Sequence, residues 1–341
     1  MTANGVDVSV LIPVLNGERH LPEALERMLG QEFDGEFELL FIDGESTDRT
    51  GELLAAAAAR DQRVRVLRNP AQRTPHALNV GLREARGEFV ARMDAHTHYP
   101  ADYLKRGVQR LRRGDVEWVA GPQLAAGSGR WSRRVSLVLS SPLGTGGASF
   151  RRAGGEEFEA RTGFTGVWRR ETLERHGGWD EGWPVNQDSE LAARVRAAGE
   201  RIVCVPGMAA DYIPRDSLRE LARQYSRYGF YRCKTSVRHP ESMRAANLLS
   251  SSLVLAGVSA LLAPGFLRRP TRLAVALYVV TVGVEGGRLA RRSGRPSDAI
   301  ALPLVFATMH VSNGFGFLSG CLRFGPPLRA IARLVRSVLR V

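Results

Sequence analysis

Two apolar runs, "VDVSVLIPVL" at 6 to 15 and "FELLFIDGES" at 37 to 46, constrain this chain more than any other feature. Both are nearly continuous in apolar residues, do not alternate, and end in polar residues, as strands buried on both faces do. Between them "GERHLPEALERMLGQ" has helical spacing, so the three segments read as a βαβ unit. A second helix follows in "STDRTGELLAAAAARD" with Ser46 or Thr47 as its cap. Next come a third strand in "RVRVLRN", a third helix in "TPHALNVGLREARGE" and a fourth strand in "FVARMDAH". This alternation predicts an α/β fold with a doubly wound, mostly parallel sheet that binds ligands at the carboxyl ends of its strands. Asp43 and Asp94 fall at such ends. Beyond residue 115 the pattern loosens: "VEWVAGPQL" reads as another strand, and "SGRWSRR" through "RRAGGEEFEARTG" as loops over a donor or acceptor cleft.

The run "ARMDAHTHYP" at 91 to 100 carries the first chemistry. Side chains at i and i+2 of an extended segment point the same way, so Asp94 and His96 are candidates to hold one metal ion. His98 continues the series, and a three-ligand centre of Asp94, His96 and His98, of the zinc-hydrolase kind, is a rival. The plain alternative packs both histidines under Tyr99 and Pro100.

Composition shifts near residue 245. "NLLSSSLVLAGVSALLAPGF" at 247 to 266 is uncharged over the length of a bilayer crossing, and Arg268, Arg269 and Arg272 follow it. The segments 273 to 287, shorter and containing Glu285, and 299 to 322, interrupted by Pro303, His310 and glycines, also belong with the membrane, as crossings or as re-entrant or interfacial pieces. The tail "PLRAIARLVRSVLRV" sets Arg329, Arg333, Arg336 and Arg340 on one face and Ile331, Leu334, Val335 and Val338 on another, which suits the cytosolic membrane surface. The chain thus divides into a domain at 1–240, a membrane region of two or three hydrophobic helices at 241–325, and a basic amphipathic tail at 326–341. The formal charge of +13 is concentrated in arginines that flank apolar segments, which favours an anionic membrane surface and argues against nucleic acid as a partner. Three widely spaced cysteines give neither a disulfide framework nor a cysteine zinc site. With no secretory leader before the first strand, the soluble part is expected in the cytosol.

Four motifs in order, "LIPVLNGE", "FIDGESTDRT", "RMDAHTHYP" and "NQDSELAARVRAAG" at 186 to 199, followed by "YIPRDSLRELARQYSRYGFYR", resemble the family 2 glycosyltransferases, in particular the bacterial exopolysaccharide enzymes of the succinoglycan type. The resemblance covers roughly residues 6 to 235. It implies a GT-A, Rossmann-like fold and a metal-dependent, inverting hexosyltransferase. The donor would be a nucleotide sugar, UDP-linked, bound with Mn²⁺ or Mg²⁺. The acceptor would be a lipid-linked oligosaccharide at the inner (cytoplasmic) membrane, the protein being multi-pass, with membrane lipid and polysaccharide-assembly proteins as partners. Asp43 would read the base, with Pro13, Asn16 and Glu18 lining the same pocket. Asp94 and His96 occupy the Asp-x-Asp position of the family, His96 in place of the second carboxylate, and an imidazole suits Mn²⁺ better than Mg²⁺. Asp188 would be the catalytic base, with Gln187 where the family shows Glu and with Glu190 as runner-up. Gln224 and Arg227 match a Gln-x-x-Arg-Trp element in which Tyr228 replaces Trp. Trp179 and Trp183 are sugar platforms or core anchors. The rival functions are a non-catalytic nucleotide-binding protein on the same fold and a processive polysaccharide synthase.

Overall fold

Alternate residues of the first strand face opposite layers of helices, and that arrangement makes the apolar runs continuous. In a computed structural model, which describes residues 5–146 and 155–338, the chain begins β1 (Val8–Val14), α1 (Leu21–Leu29), β2 (Phe37–Asp43), α2 (Thr50–Arg60), β3 (Val64–Arg68), α3 (Thr74–Glu84), β4 (Phe89–Arg92). Val8, Val10, Ile12 and Val14 pack with Leu21, Ala24 and Met28 of α1 and Leu54 of α2. Leu11 of β1, with Leu40 and Ile42 of β2, packs on the other side with Ala77, Leu78 and Leu82 of α3. Each large apolar side chain buried this way contributes about 1.5–3 kcal/mol.

There follow β5 (Thr97–His98), α4 (Tyr103–Leu111), β6 (Trp118–Ala120), β7 (Gln123–Ala125), α5 (Ser132–Leu139), α6 (Pro142–Thr145), β8 (Phe158–Glu159), β9 (Gly166–Arg169), α7 (Arg170–Arg175), α8 (Gln187–Ala197), β10 (Ile202–Cys204) and β11 (Ala210–Tyr212). The main sheet runs β3-β2-β1-β4-β9-β6-β10-β8. Its first four strands are parallel, β9 lies antiparallel between β4 and β6, and β10 is parallel to β6. The expected α/β sheet is therefore present, with a mixed second half.

Local expectations need four corrections. Helix α2 starts at Thr50 with Arg49 as its N-cap, so Ser46 and Thr47 lie too far upstream to cap it. The fourth strand stops at Arg92, because Thr97 N–H turns back onto the Asp94 carbonyl (3.0 Å). "VEWVAGPQL" makes two strands, β6 and β7, which belong to different sheets. The stretch read as loops holds α5 and α6. Residues 147–154 of that stretch, together with Arg340 and the side chain of Val338 assigned to the tail, lie outside the described residues.

The described residues form two compact units: 5–124 with 155–212, which carries the main sheet, and 125–146 with 213–338. The second unit contains α5, α6, α9 (Leu218–Arg238), α10 (Ala245–Leu262), α11 (Gly265–Ser293), α12 (Asp298–Phe324) and α13 (Leu328–Val338). Three of these, α10, α11 and α12, are long and apolar enough to cross a membrane. The 273 to 287 segment is the inner part of a 29-residue helix, so it is not short. Pro303 and His310 do not interrupt α12, which is continuous from Asp298 to Phe324 with Pro303 in its second turn. Arg133 Nη2 and Arg134 Nε hold the fully buried Asp298 carboxylate at 3.1 and 2.7 Å, tying α5 to the start of α12.

Candidate active site at the carboxyl ends of the central strands

Strand order reverses between β1 and β4, and the two strands part at their carboxyl ends. Their register ends at Leu11↔Arg92, whereas β1 continues beside β2 as far as Val14↔Asp43. Pro13, half-buried opposite Ile42, therefore owes no N–H to β4. This opening is the topological switch point, where open α/β sheets bind their ligands.

On the β1–β2 side, the turn after β1 and the turn after β2 are bonded to each other. Asn16 N–H donates to Ser46 Oγ (2.9 Å), and Asn16 Oδ1 accepts from Thr47 N–H (2.8 Å). Gly17 N–H donates to Thr50 Oγ1 (2.8 Å), Glu18 N–H to Asp48 Oδ2 (3.2 Å), and Glu18 Oε2 accepts from Arg49 N–H (3.0 Å). Ser46 in turn donates from Oγ to Asp43 Oδ1 (2.6 Å). Asp43 thus closes its own turn and is oriented by it. Asn16 and Glu45 hold left-handed backbone, φ 49° and 59°, a conformation natural to Asn and costly for Glu.

On the β4 side, three charged groups are buried together. Arg92, at the end of β4, donates from Nε to Asp94 Oδ1 (3.0 Å), from Nη2 to Asp94 Oδ2 (3.3 Å) and from Nη1 to Asp188 Oδ1 (2.7 Å). Its guanidinium also lies 5.3 Å from the Phe164 ring centre. The three residues are 3–6 % exposed, and Asp94 N–H donates to Tyr99 Oη (2.8 Å). Burial pushes the Asp188 carboxyl up to about 6; Arg92 opposes the shift and Asp94 adds to it. Burial also works against the charge on Arg92, but Asp188 and Asp94 outweigh it and hold the guanidinium above its ordinary value.

Asp188 enters from the first turn of α8, after Asn186 in left-handed backbone (φ 63°). Glu190, the runner-up base, is turned into an ion pair with Arg194 (2.7 Å), which also donates to the Gly178 carbonyl (2.8 Å). Trp179 is a core residue, edge-on to Trp168 with ring centres 5.7 Å apart, and Trp183 is buried too.

Since 94–97 form a turn, the extended-strand argument for pairing Asp94 with His96 does not apply: Asp94 is buried and His96 exposed, edge-on to Tyr212. His98 Nε2 lies 3.6 Å from Glu23, and among the described residues no three His, Cys, Asp or Glu side chains converge on a metal position. A zinc-type centre of Asp94, His96 and His98 is therefore not assembled. A hard cation that takes one or two protein ligands and completes its shell with phosphate and water needs no such cluster, and Asp94 is the carboxylate here that could supply one ligand. Gln224 and Arg227 lie on α9 in the second unit, where Gln224 Nε2 donates to Tyr228 Oη (2.9 Å).

Arg92 escaped the sequence reading. The only signal was an arginine inside an otherwise apolar strand, two residues before an aspartate.

Comparison with known proteins agrees with this geometry. The model described as "Glycosyl transferase family 2" matches residues 9–177. The succinoglycan biosynthesis protein ExoA of Rhizobium meliloti is 30% identical over 256 residues, 74% of this chain and 77% of that protein. A dolichyl N-acetyl-alpha-D-glucosaminyl phosphate 3-beta-D-2,3-diacetamido-2,3-dideoxy-beta-D-glucuronosyltransferase of Methanococcus voltae is 24% identical over 93% of this chain and 97% of its own length. Among solved structures, the mannosyltransferase PcManGT from Pyrobaculum calidifontis, in complex with GDP-Man and Mn²⁺, aligns over 93% of this chain and 87% of its own, with a TM-score of 0.57 at 22% identity. At that identity the likeness speaks for the fold.

Proposed function

Because this chain belongs to glycosyl transferase family 2, a glycosyltransferase of polysaccharide or lipid-linked glycan biosynthesis, we propose that it is an inverting hexosyltransferase using a UDP-linked donor. The observation that carries the reading is the buried Asp94–Arg92–Asp188 chain at the switch point. It joins a carboxylate suited to the cation that would accompany the donor's diphosphate to a carboxylate suited to the acceptor's proton. The acceptor hydroxyl attacks the anomeric carbon as its O–H proton passes to Asp188, and the bond to the diphosphate oxygen breaks on the opposite face. A single displacement of this kind inverts configuration. A carboxyl pushed up to about 6 is a better proton acceptor than an ordinary aspartate and is still ionised at neutral pH.

Asp43, oriented by Ser46, would accept the imide N–H of uracil, with Pro13, Asn16 and Glu18 forming the adjoining wall. Asp94, with His96 beside it in sequence, would hold a Mn²⁺ or Mg²⁺ ion, which supplies charge neutralisation to the leaving diphosphate. Gln224 and Arg227 would serve the diphosphate as well. The acceptor is a lipid-linked saccharide at the cytosolic leaflet of the inner membrane, with polysaccharide-assembly proteins as partners. The dolichyl-linked substrate in the name of the Methanococcus relative and the three apolar helices support this placement.

The test is Asp188→Asn, assayed for sugar transfer and for UDP protection against thermal unfolding. Transfer should fall by about 10³, within the usual range for losing a general base, while protection by UDP persists. Full activity in that variant would remove Asp188 from the role.

A further inference from the structure

Helix α12 meets the length and hydropathy for a membrane crossing, yet what packs along it does not belong in hydrocarbon. Helix α9 accompanies it closely. Leu221 of α9 clusters with Leu302, Val305, Phe306 and Met309 of α12. Farther on, a Cβ on Gly229 would stand 2.0 Å from the Asn313 carbonyl oxygen, and one on Gly316 would stand 1.9 Å from that of Ser226. Cys233 Sγ and Cys321 Sγ are 3.6 Å apart. On α9 the contact runs from Leu221 to Cys233, roughly 18 Å at 1.5 Å per residue, more than half of a bilayer core of about 30 Å.

A crossing α12 would carry α9 through more than half of the core, and over that stretch α9 bears Arg223, Arg227 and Arg232, with Lys234 just beyond it. Charged side chains at such depth are rare and face a bundle interior or a water-filled cavity. Here Arg223 and Arg227 are exposed. Helix α6 adds to the conflict, since its Leu143 carbonyl lies 3.2 Å from His310 Nε2 in the middle of α12.

Burial divides the three apolar helices. In their most apolar 18-residue windows α10 is 11% buried and α11 22%, but α12 is 44% buried. The exposed large apolar residues of α12 are Ile300, Leu304, Val311, Phe315 and Leu322, at spacings of 4, 7, 4 and 7, a single stripe. After Asp298 the chain contains no acidic residue. Helix α13 exposes Arg329, Arg333 and Arg336 and rests through Ala330 and Leu334 on a cluster with Cys233 of α9 and Phe317 of α12.

From these contacts we infer that α12 does not cross the membrane. It is the seat on which α9 rests, and an anionic bilayer meets this unit from the α10–α11 side, with the stripe on α12 at its margin. The α11–α12 turn and α13 then lie on the same side of the bilayer. This inference is independent of the transferase reading.

Cysteines placed one at a time at exposed Arg295 and exposed Ser337, in a Cys321→Ser background of the full chain whose remaining Cys204 and Cys233 are buried, test it in sealed membrane vesicles with a membrane-impermeant maleimide. R295C and S337C should label in the same vesicle orientation, both before or both after permeabilisation. Labelling of one before and the other only after permeabilisation would overturn the inference. Limited trypsin digestion of the same vesicles reads the same distinction with no substitution, from cleavage after exposed Arg292 and exposed Arg336.

Discussion

Arg92 Nη1 lies 2.7 Å from Asp188 Oδ1, joining residues 96 positions apart inside the protein. The same guanidinium holds both oxygens of Asp94. One buried cation therefore sets the positions of both acids.

Removing Arg92 leaves two buried carboxylates without their counter-ion. Arg92→Met should destabilise the first unit by about 3–5 kcal/mol, the usual cost of breaking a buried pair. Arg92→Lys, with one compact ammonium for two acids, should recover part of it. In a thermal-unfolding double-mutant cycle, Arg92→Met combined with Asp188→Asn should cost less than the sum of the two changes.

The rate of transfer should depend on pH through Asp188. Its folded-state value is raised to about 6, so the proton-accepting anion is gained as pH rises through that value. Below it kcat should fall about tenfold per unit. For stability the sign is reversed: a raised carboxyl favours folding most while protonated and loses that contribution as pH climbs from its ordinary value toward 6. Asp188→Asn should consequently show a Tm no lower than the parent at pH 7.5.

Asp43→Asn keeps an acceptor for Ser46 and so preserves the turn, but Asp43→Ala removes it. Both should raise the KM for a UDP-linked donor, by about tenfold or more for loss of a charged hydrogen bond, with kcat little changed. Only the alanine variant should also lower Tm. Equal KM values for the parent and both variants would refute base reading by Asp43.

His96→Asp tests the departure from the usual two-carboxylate motif. Replacing an imidazole by an oxygen ligand should move the preference of the transfer reaction from Mn²⁺ toward Mg²⁺, measured as the ratio of rates with each ion. An unchanged ratio would show that the exposed His96 does not touch the ion.

Gly316→Ala places a methyl 1.9 Å from the Ser226 carbonyl oxygen, and the backbone of α9 cannot yield as a side-chain tip could. At least about 1–3 kcal/mol of overpacking cost is expected, seen as a lowered thermal midpoint of the detergent-solubilised chain. Gly283→Ala, where nothing lies within 4 Å, is the control and should be neutral or mildly stabilising.

What could be read from the sequence followed the range of the forces involved. β1, β2 and the helices between the first strands were legible because each buries a periodic face, a property written locally in the chain. Asp43, Asp94 and Asp188 were singled out because motifs mark them, and the fold brings Asp94 and Asp188 to one guanidinium. The pairing of Asp94 with His96 rested on extended backbone, and a single hydrogen bond from Thr97 to Asp94 bends that stretch into a turn. Arg92 was hidden because its meaning depends on Asp188, which only the fold brings near. Helix α5 was missed because eight residues carry too little periodicity, and its arginines gave no sign of the buried Asp298 they hold.

The hydrogen bonds between the turns after β1 and β2 have a consequence for how such a protein can change. Each turn is held in shape by the other, so if they line the donor site as proposed, exchanging one alone should not graft a new nucleotide preference. In chimeras, residues 15–20 and 44–50 should behave as one heritable module: transplanted together they carry the donor choice of their source, and transplanted singly they give a chain that folds poorly at that edge.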